Sequence, residues 1–367
     1  MSELTGPVQI IGTGLLGTSI GLALRRAGMD VLLADASADH LRTASGLGAG
    51  RVAATGDRPQ LVVVAVPPDS LGHVISRALE TTDAVVTDVG SVKTRPLSVV
   101  DHVAGIERYV GSHPMAGSER SGPLAASAAL FDGRPWAVTP HDGSDPDAVE
   151  LVEQLATLCG AVPVRLTPAE HDRAVAHTSH VPHLLSSLVA GQLLDAPREH
   201  LSLSGQGVRD VTRIAAGDPA LYAQIVSANS DQVLALLLSV RDRLDDVIAA
   251  LDGGDRDALD EVLRAGVAGT RAIPGKHGGP PRATESLYVA VPDHPGELAR
   301  LFADAGDSGV NIEDVHIDHD PGRPVGLLEL TVEEGRAEHL IAQLVRHHRD
   351  QAQVEQGRRE RCIDDPP

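Results

Sequence analysis

Residues 7–166 alternate short β-branched runs with stretches of helical period, the pattern of strands joined into a parallel sheet by crossover helices. The predicted strands are Val8–Ile11, Val31–Ala34, Leu61–Val66, Ala84–Asp88, Arg108–Ser112, Trp136–Thr139 and Val162–Leu166. The pattern changes at Thr167, where TPAE supplies a Thr N-cap, a Pro at the first helical position and a Glu at the third, a capping box. Helical periodicity then dominates to about Ile273, with Asp218–Pro219 starting one helix and Gly253–Gly254 punctuating another. No strand pattern interrupts this stretch, which reads as a separate helical domain.

Ile273–Ala283, IPGKHGGPPRA, has the Gly and Pro content of a linker. Beyond it the pattern predicts a strand at Ser286–Val291, a turn and helix in PDHPGELARLFADAG, strands at Asn311–Asp318 and Gly326–Val332, and a helix over Glu338–His347. That is a small βαββα unit. The expected domains are therefore 1–166, 167–273 and 284–348, with a linker at 274–283 and a solvated tail over 349–367.

Composition narrows the function classes. The chain has 367 residues, 42% apolar but only 2% aromatic, so its cores rest on Leu, Val, Ile and Ala. A net charge of −20 argues against nucleic acid and anionic membranes as partners, yet leaves room for a small anionic substrate held by one or two arginines. Two distant cysteines, Cys159 and Cys362, fit a reducing compartment, and MSELTGPVQIIG carries no signal region. The apolar runs, such as Val233–Leu238, fall short of a membrane span, so the expected location is the cytoplasm.

Gly12-Thr-Gly-Leu-Leu-Gly17 follows the strand VQII and opens an amphipathic helix, the setting in which G-x-G-x-x-G binds a dinucleotide. Asp35 ends the second strand, where a carboxylate bonds the adenosine ribose and favours NAD over NADP, while Arg42 nearby could shift that preference. The loop Gly12, Gly14, Leu15, Leu16 and Gly17, with Val66-Pro67 at the end of the third predicted strand, is the expected cofactor cradle.

In DVGSVK, Ser91 and Lys93 would face the nicotinamide end. Ser91 reads equally as a helix N-cap and Lys93 as a solvated lysine. Gly111–Gly122, GSHPMAGSERSG, puts His113 at a strand end among small and polar residues, where it can take a proton from a substrate hydroxyl.

His177, His180 and His183 recur every three residues, but successive helical i+3 steps rotate them apart, and Pro182 would kink the helix. Substrate contact and ordinary packing are the stronger readings, and no metal site is expected. Asp210 and Arg213 share a helix face, either as a surface ion pair or with the arginine aimed at a substrate carboxylate.

The segments GTGLLGTSIG, DVGSVK, GSHPMAGSERSG, SHVPHLL and DVTRIAAGDPALY together resemble the prephenate/arogenate dehydrogenase family of tyrosine biosynthesis. LYVAVPDHPGELARLFADAGDSGVNI resembles an ACT domain. The fold implied is a Rossmann-type α/β dinucleotide-binding domain, an all-α dimerisation domain and a small ferredoxin-like α+β domain.

The activity implied is NAD-dependent oxidative decarboxylation of prephenate to 4-hydroxyphenylpyruvate, or of arogenate to tyrosine. The resemblance makes His113 the acceptor for the ring hydroxyl and Ser91 the group that orients it. It gives Arg213 a substrate carboxylate and lines the pocket with His183, Ser118 and Glu119, with His180 and Asp210 nearby. Tyr222 stands where some relatives carry tryptophan. A homodimer is implied, as is an aromatic amino-acid effector such as tyrosine at Asp293, Gly296 and Asn311.

Two other classes compete. A β-hydroxyacid dehydrogenase-like reductase would use a lysine in the helical domain, and residues 167–273 contain none. A catalytically silent regulator would lack His113 or Arg213, and both are present.

Overall fold

The computed structural model describes residues 3–117, 120–273, 283–319, 325–347 and 354–355. By its internal contacts the chain divides into two units, 1–245 and 246–367. The division falls inside a long helix rather than at the Gly/Pro-rich segment, of which 274–282 lie outside the described residues.

The first unit opens with β1 (Val8–Ile11), α1 (Leu15–Arg26), β2 (Val31–Ala34), α2 (Ala38–Gly46), β3 (Arg51–Val52), β4 (Leu61–Val64), α3 (Pro68–Thr81), β5 (Val85–Asp88) and α4 (Thr94–Val100). It continues through β6 (Tyr109–Pro114), β7 (Pro135–Thr139), α5 (Pro146–Leu158) and β8 (Val162–Arg165). The sheet order is β3-β2-β1-β4-β5-β6-β7-β8. β1 pairs with both β2 and β4, so the chain reverses its direction of travel across the sheet there, the place where open α/β sheets bind ligands.

β4 shows why this sheet needs apolar residues at consecutive positions. Leu61 and Val63 pack with α1 and α5 on one face, while Val62 and Val64 pack with Leu71, Ile75 and Leu79 of α3 on the other.

The structure corrects the sheet in three places. β7 runs antiparallel to β6, because the described residues of 115–134 hold no crossover helix to return the chain to the other end of the sheet. β3 is a two-residue exposed strand, too short to show a pattern. β4 ends at Val64, and Ala65 and Val66 leave the sheet ahead of Pro67.

Helices follow: α6 (Pro168–Val175), α7 (Val181–Gln192), α8 (Arg198–Leu201), α9 (Gln206–Arg213), α10 (Pro219–Ala228), α11 (Ser230–Gly253) and α12 (Arg256–Arg271). The capping box forms as read, with Thr167 accepting from the Glu170 N–H and the Glu170 side chain returning to the Thr167 N–H. Between α6 and α7, Ala176–His180 is a π turn. Pro182 sits in the first turn of α7, where its missing N–H costs nothing, so the local irregularity is the π turn ahead of the proline. Among the described residues no helix is long and apolar enough to cross a membrane.

The second unit ends in β9 (Thr284–Pro292), α13 (Glu297–Asp307), β10 (Ile312–His319), β11 (Val325–Glu333), α14 (Ala337–His347) and β12 (Val354–Glu355). Its antiparallel order is β10-β11-β9-β12, a βαββαβ ferredoxin-like arrangement. Leu287, Val289 and Val291 point every second residue into a core closed by Leu301, Leu340 and Leu344. β12 corrects the reading of 349–367 as tail throughout. Val354 pairs with Val289, a pairing supplied by the open edge of β9 and not by any strand pattern in RDQAQVEQGRRER. Cys362 and the rest of that segment lie outside the described residues.

Candidate active site

β1 hands the chain to α1 through the glycine loop. Gly12 has φ +100°, and a Cβ there would stand 2.3 Å from the Ala65 carbonyl oxygen, so both conformation and space require glycine. At Gly17 a Cβ would lie 1.9 Å from the Gly12 carbonyl oxygen. Nothing lies within 4 Å of a Cβ built at Gly14, so the protein itself makes no use of the smallness of that residue. The space left there adjoins the start of α1, where no side chain caps the helix and the N–H groups of Leu15 and Leu16 have no intrahelical acceptor. A diphosphate fits such a cradle.

Asp35 closes the rim at the end of β2. Its Oδ2 accepts from the Thr13 N–H at 2.5 Å and the Thr13 hydroxyl at 2.7 Å, and its Oδ1 accepts from the Ser37 N–H at 2.7 Å. Burial pushes this carboxyl up, but the hydrogen bonds outweigh it and hold it below its ordinary value of 3.8. Arg42 is engaged by Asp39 on its own helix. Val66 is half-buried and Pro67 exposed in the turn between β4 and α3.

DVGSVK crosses from β5 toward α4. Lys93 is no solvated lysine: it is 1% exposed and ion-paired with Asp88, and its Nζ donates to the Ser112 carbonyl at 2.7 Å. Asp88 Oδ1 accepts from the Tyr109 hydroxyl at 2.8 Å, and its Oδ2 accepts from the Gly90 N–H at 2.9 Å. Burial pulls the Lys93 ammonium below 10.5 against the pull of Asp88, and it drives the Tyr109 phenol well above 10.0. Ser91 is half-buried and does not cap α4, whose N-cap position is Lys93.

His113 stands at the end of β6 and is half-buried. Its Nδ1 lies 2.9 Å from Nε2 of His171 on α6, the rings meeting edge to face. Nδ1 of His171 lies 2.9 Å from Asp172 Oδ1. Asp172 also accepts from the Lys93 N–H at 2.8 Å, the Thr94 N–H at 2.9 Å and the Thr94 hydroxyl. Asn229 donates to the Asp172 carbonyl at 2.8 Å and lies 3.2 Å from His180 Nδ1.

Burial, reinforced by His171, Lys93 and His180, holds the His113 imidazole well below 6.5. Burial likewise lowers His171 below 6.5 and brings His180 to about 4. Burial raises Asp172, but its hydrogen bonds from His171, Thr94 and Lys93 prevail and leave it below 3.8.

A second cluster lies on the helices. His183 is buried and stacks on Tyr222 at 3.4 Å with rings 6° from parallel, and its Nδ1 has no hydrogen-bond partner among the described residues. Gly217 permits the stack, since a Cβ there would reach within 2.9 Å of the Tyr222 ring. α9 is held to α7 by the Ser186 hydroxyl, which donates to the Val211 carbonyl at 2.7 Å.

Arg213, at the end of α9, is exposed and makes no ion pair among the described residues. Asp210 accepts from Gln206 at 2.8 Å and not from Arg213, so the surface ion pair does not form. Ser118 and Glu119 lie outside the described residues. Among the described residues no group of three His, Cys, Asp or Glu side chains could hold a metal ion, and His177 is exposed.

The model of "Prephenate dehydrogenase, nucleotide-binding domain" matches residues 20–165, and that of "Prephenate dehydrogenase, dimerization domain" matches residues 167–265. The "Probable prephenate dehydrogenase NovF" of Streptomyces niveus is 37% identical over 350 residues, covering 92% of this chain and 97% of that protein. The chain belongs to the prephenate dehydrogenase family. The prephenate dehydrogenase of Bacillus subtilis is 28% identical over 332 residues, 86% of this chain and 89% of its own. The solved prephenate dehydrogenase of Aquifex aeolicus superposes with a TM-score of 0.66 at 25% identity, covering 72% of this chain and 99% of that one.

In this family member the fold links His113 to His171, and through it to Asp172 and Asn229, and sets Tyr109 against Asp88, all residues that sequence reasoning missed. One signal was available. His171 and Asp172 each precede by four residues an apolar position on the buried face, Val175 and Ala176, so a polar pair occupies a core stripe. No such signal marked Asn229 or Tyr109, which lie far from their partners in sequence.

Proposed function

We propose that the enzyme carries out the NAD-dependent oxidative decarboxylation of prephenate to 4-hydroxyphenylpyruvate. The reading rests on one observation above all: a strand-end histidine whose pKa burial holds well below 6.5, in the same sheet as a dinucleotide cradle, in a chain of this family. Prephenate is preferred to arogenate because the family and its Streptomyces and Bacillus relatives carry that substrate's name.

Gly12, Gly14 and Gly17 with Leu15 and Leu16 would hold the diphosphate of NAD, and Asp35 its ribose, with Val66, Pro67 and Ser91 along the cleft toward the nicotinamide. NAD, when bound, supplies the acceptor for the hydride leaving the ring carbon that bears the hydroxyl. His113 accepts the hydroxyl proton as that carbon becomes a carbonyl. When the ring carboxylate leaves as CO2 its bonding electrons aromatise the ring, and His113 returns the proton to the phenolic oxygen. No net proton is released. Arg213 binds a substrate carboxylate through its planar fork. His183, stacked on Tyr222, forms a wall of the substrate pocket, and His180 and Asp210 are read as further substrate-side residues. Ser118 and Glu119, read with them from the sequence, lie outside the described residues.

The test is NADH formation with prephenate and with arogenate supplied separately. Prephenate is expected to react, and silence with both substrates overturns the reading.

The enzyme acts as a homodimer through the helical region, a reading supported by the dimerization-domain match and by the exposed Leu234, Leu238, Leu244, Ile248 and Leu251 of α11. Light scattering that finds a monomer would refute it. The ferredoxin-like unit binds an aromatic amino acid such as tyrosine at the turns flanking α13. Gly296 there has φ +95°, Asp293 is exposed, and Asn311 donates to Glu313. A rate unmoved by millimolar tyrosine or phenylalanine would leave this ACT-like unit a structural role only.

A further inference from the structure

We propose that His171, itself fixed by Asp172, is the positioning residue that holds His113 as its Nδ1–H tautomer and leaves Nε2 as the proton acceptor. The inference deepens the reading of His113 as the base and rests on it.

Donors and acceptors fix the polarity of this hydrogen-bond chain. An ionised carboxylate only accepts, and every other partner of Asp172 is a donor: the Lys93 N–H, the Thr94 N–H and the Thr94 hydroxyl. His171 Nδ1, 2.9 Å from Asp172 Oδ1, must therefore carry a proton. A neutral His171 then has a bare Nε2, and that atom lies 2.9 Å from His113 Nδ1. Two bare nitrogens would repel at this distance, so His113 Nδ1 donates. A neutral His113 is left with a single lone pair, on Nε2, the nitrogen not engaged by His171.

The opposite polarity would need His171 to carry both protons, or would turn its bare Nδ1 toward the carboxylate. Burial disfavours the first, and the second would set a lone pair against an acceptor-only carboxylate oxygen. During turnover, a protonated His113 would still donate from Nδ1 to an acceptor backed by a carboxylate, which stabilises the transient imidazolium. The logic matches that of histidines held by an outer carboxylate, with one imidazole interposed.

The experiment uses the full-length enzyme with 15N-labelled histidine and reads ring nitrogens in the absence of substrate. His113→Asn identifies the signals of His113. In the wild type they should be those of a protonated Nδ1 and a bare Nε2. His171→Phe removes the acceptor, and His113 should lose that fixed pattern while kcat falls at least tenfold and KM for prephenate and Kd for NAD change less than twofold. His171→Gln, which restores an acceptor oxygen, should recover part of kcat and part of the Nδ1–H signature; it also serves as the working variant if the Phe variant does not fold.

A wild-type His113 protonated at Nε2 overturns the proposal. So does a His171 variant in which kcat falls while the His113 signals stay unchanged, because the loss is then merely structural. The spectra are recorded without substrate, so a failure here is distinct from a failure of prephenate to react.

Discussion

Lys93 and Asp88 form an ion pair sealed from solvent, at 1% and 0% side-chain exposure, and the same ammonium grips the carbonyl of Ser112, the residue before His113. The pair thereby ties β5, α4 and the end of β6 together at the base of the site. Removing the cation would strand a buried carboxylate with only the Tyr109 hydroxyl and the Gly90 N–H. Lys93→Met should cost about 3–5 kcal/mol of stability, as broken buried pairs do. Urea unfolding measures it, and a loss below about 1 kcal/mol would show that the pair contributes little.

His113→Asn should leave NAD binding intact and lower kcat by about 10² or more, the scale of a lost general base. The pH profile carries a second check. The base must be neutral, and burial holds the ring well below 6.5, so kcat/KM should stay flat as pH falls past 6.5 and decline only further into acid. An acid limb centred at or above 6.5 would assign the titration to another group.

The loop glycines separate folding from binding. Gly17→Ala drives a Cβ to 1.9 Å from a backbone oxygen and should destabilise the whole unit, whereas Gly14→Ala meets open space. Gly14→Ala should therefore keep the wild-type Tm while KM for NAD rises at least tenfold, on the order expected if the Cβ enters diphosphate space. Calorimetry with steady-state kinetics decides it. Unchanged KM would mean the diphosphate lies elsewhere.

Arg213 is exposed and uncommitted among the described residues, as a substrate-binding cation should be before substrate arrives. Arg213→Ala should raise KM for prephenate with the loss of about 2–3 kcal/mol, the worth of a charged hydrogen bond. An unmoved KM removes it from the site.

His180 links pH to stability. Its folded-state value of about 4 lies below the ordinary 6.5, so between these values the unfolded chain binds more protons and stability rises with pH. At roughly 1.4 kcal/mol per unit, the loss on acidification from 6.5 to 4 is about 3 kcal/mol. Tm measured over that range should fall less steeply in His180→Gln. Parallel curves would place the titration at another residue.

Much of the architecture was readable before any coordinates. The Val8–Ile11 and Val31–Ala34 strands, the Thr167 capping box and the helix at Pro219 all emerge where local pattern puts them. These features depend on side chains within a few residues of one another. β12 was not readable, because its pairing comes from the edge of β9 and its own residues carry no alternation. The reversal at β7 was missed because hydrophobic period reports a strand but not its direction.

The same division runs through the site. The sequence alone marked the glycine loop, in which Gly12 and Gly17 are demanded by backbone geometry, and it singled out His113 as a polar group at a strand end. Only the tertiary structure decided what His113 works with. Lys93 turned from a surface candidate into a buried cation, and His171 and Asp172 arrived from a helix far along the chain. Hydrogen bonds between distant residues leave no period in a sequence, so the partners of the histidine became visible only once packing had set them 2.9 Å apart.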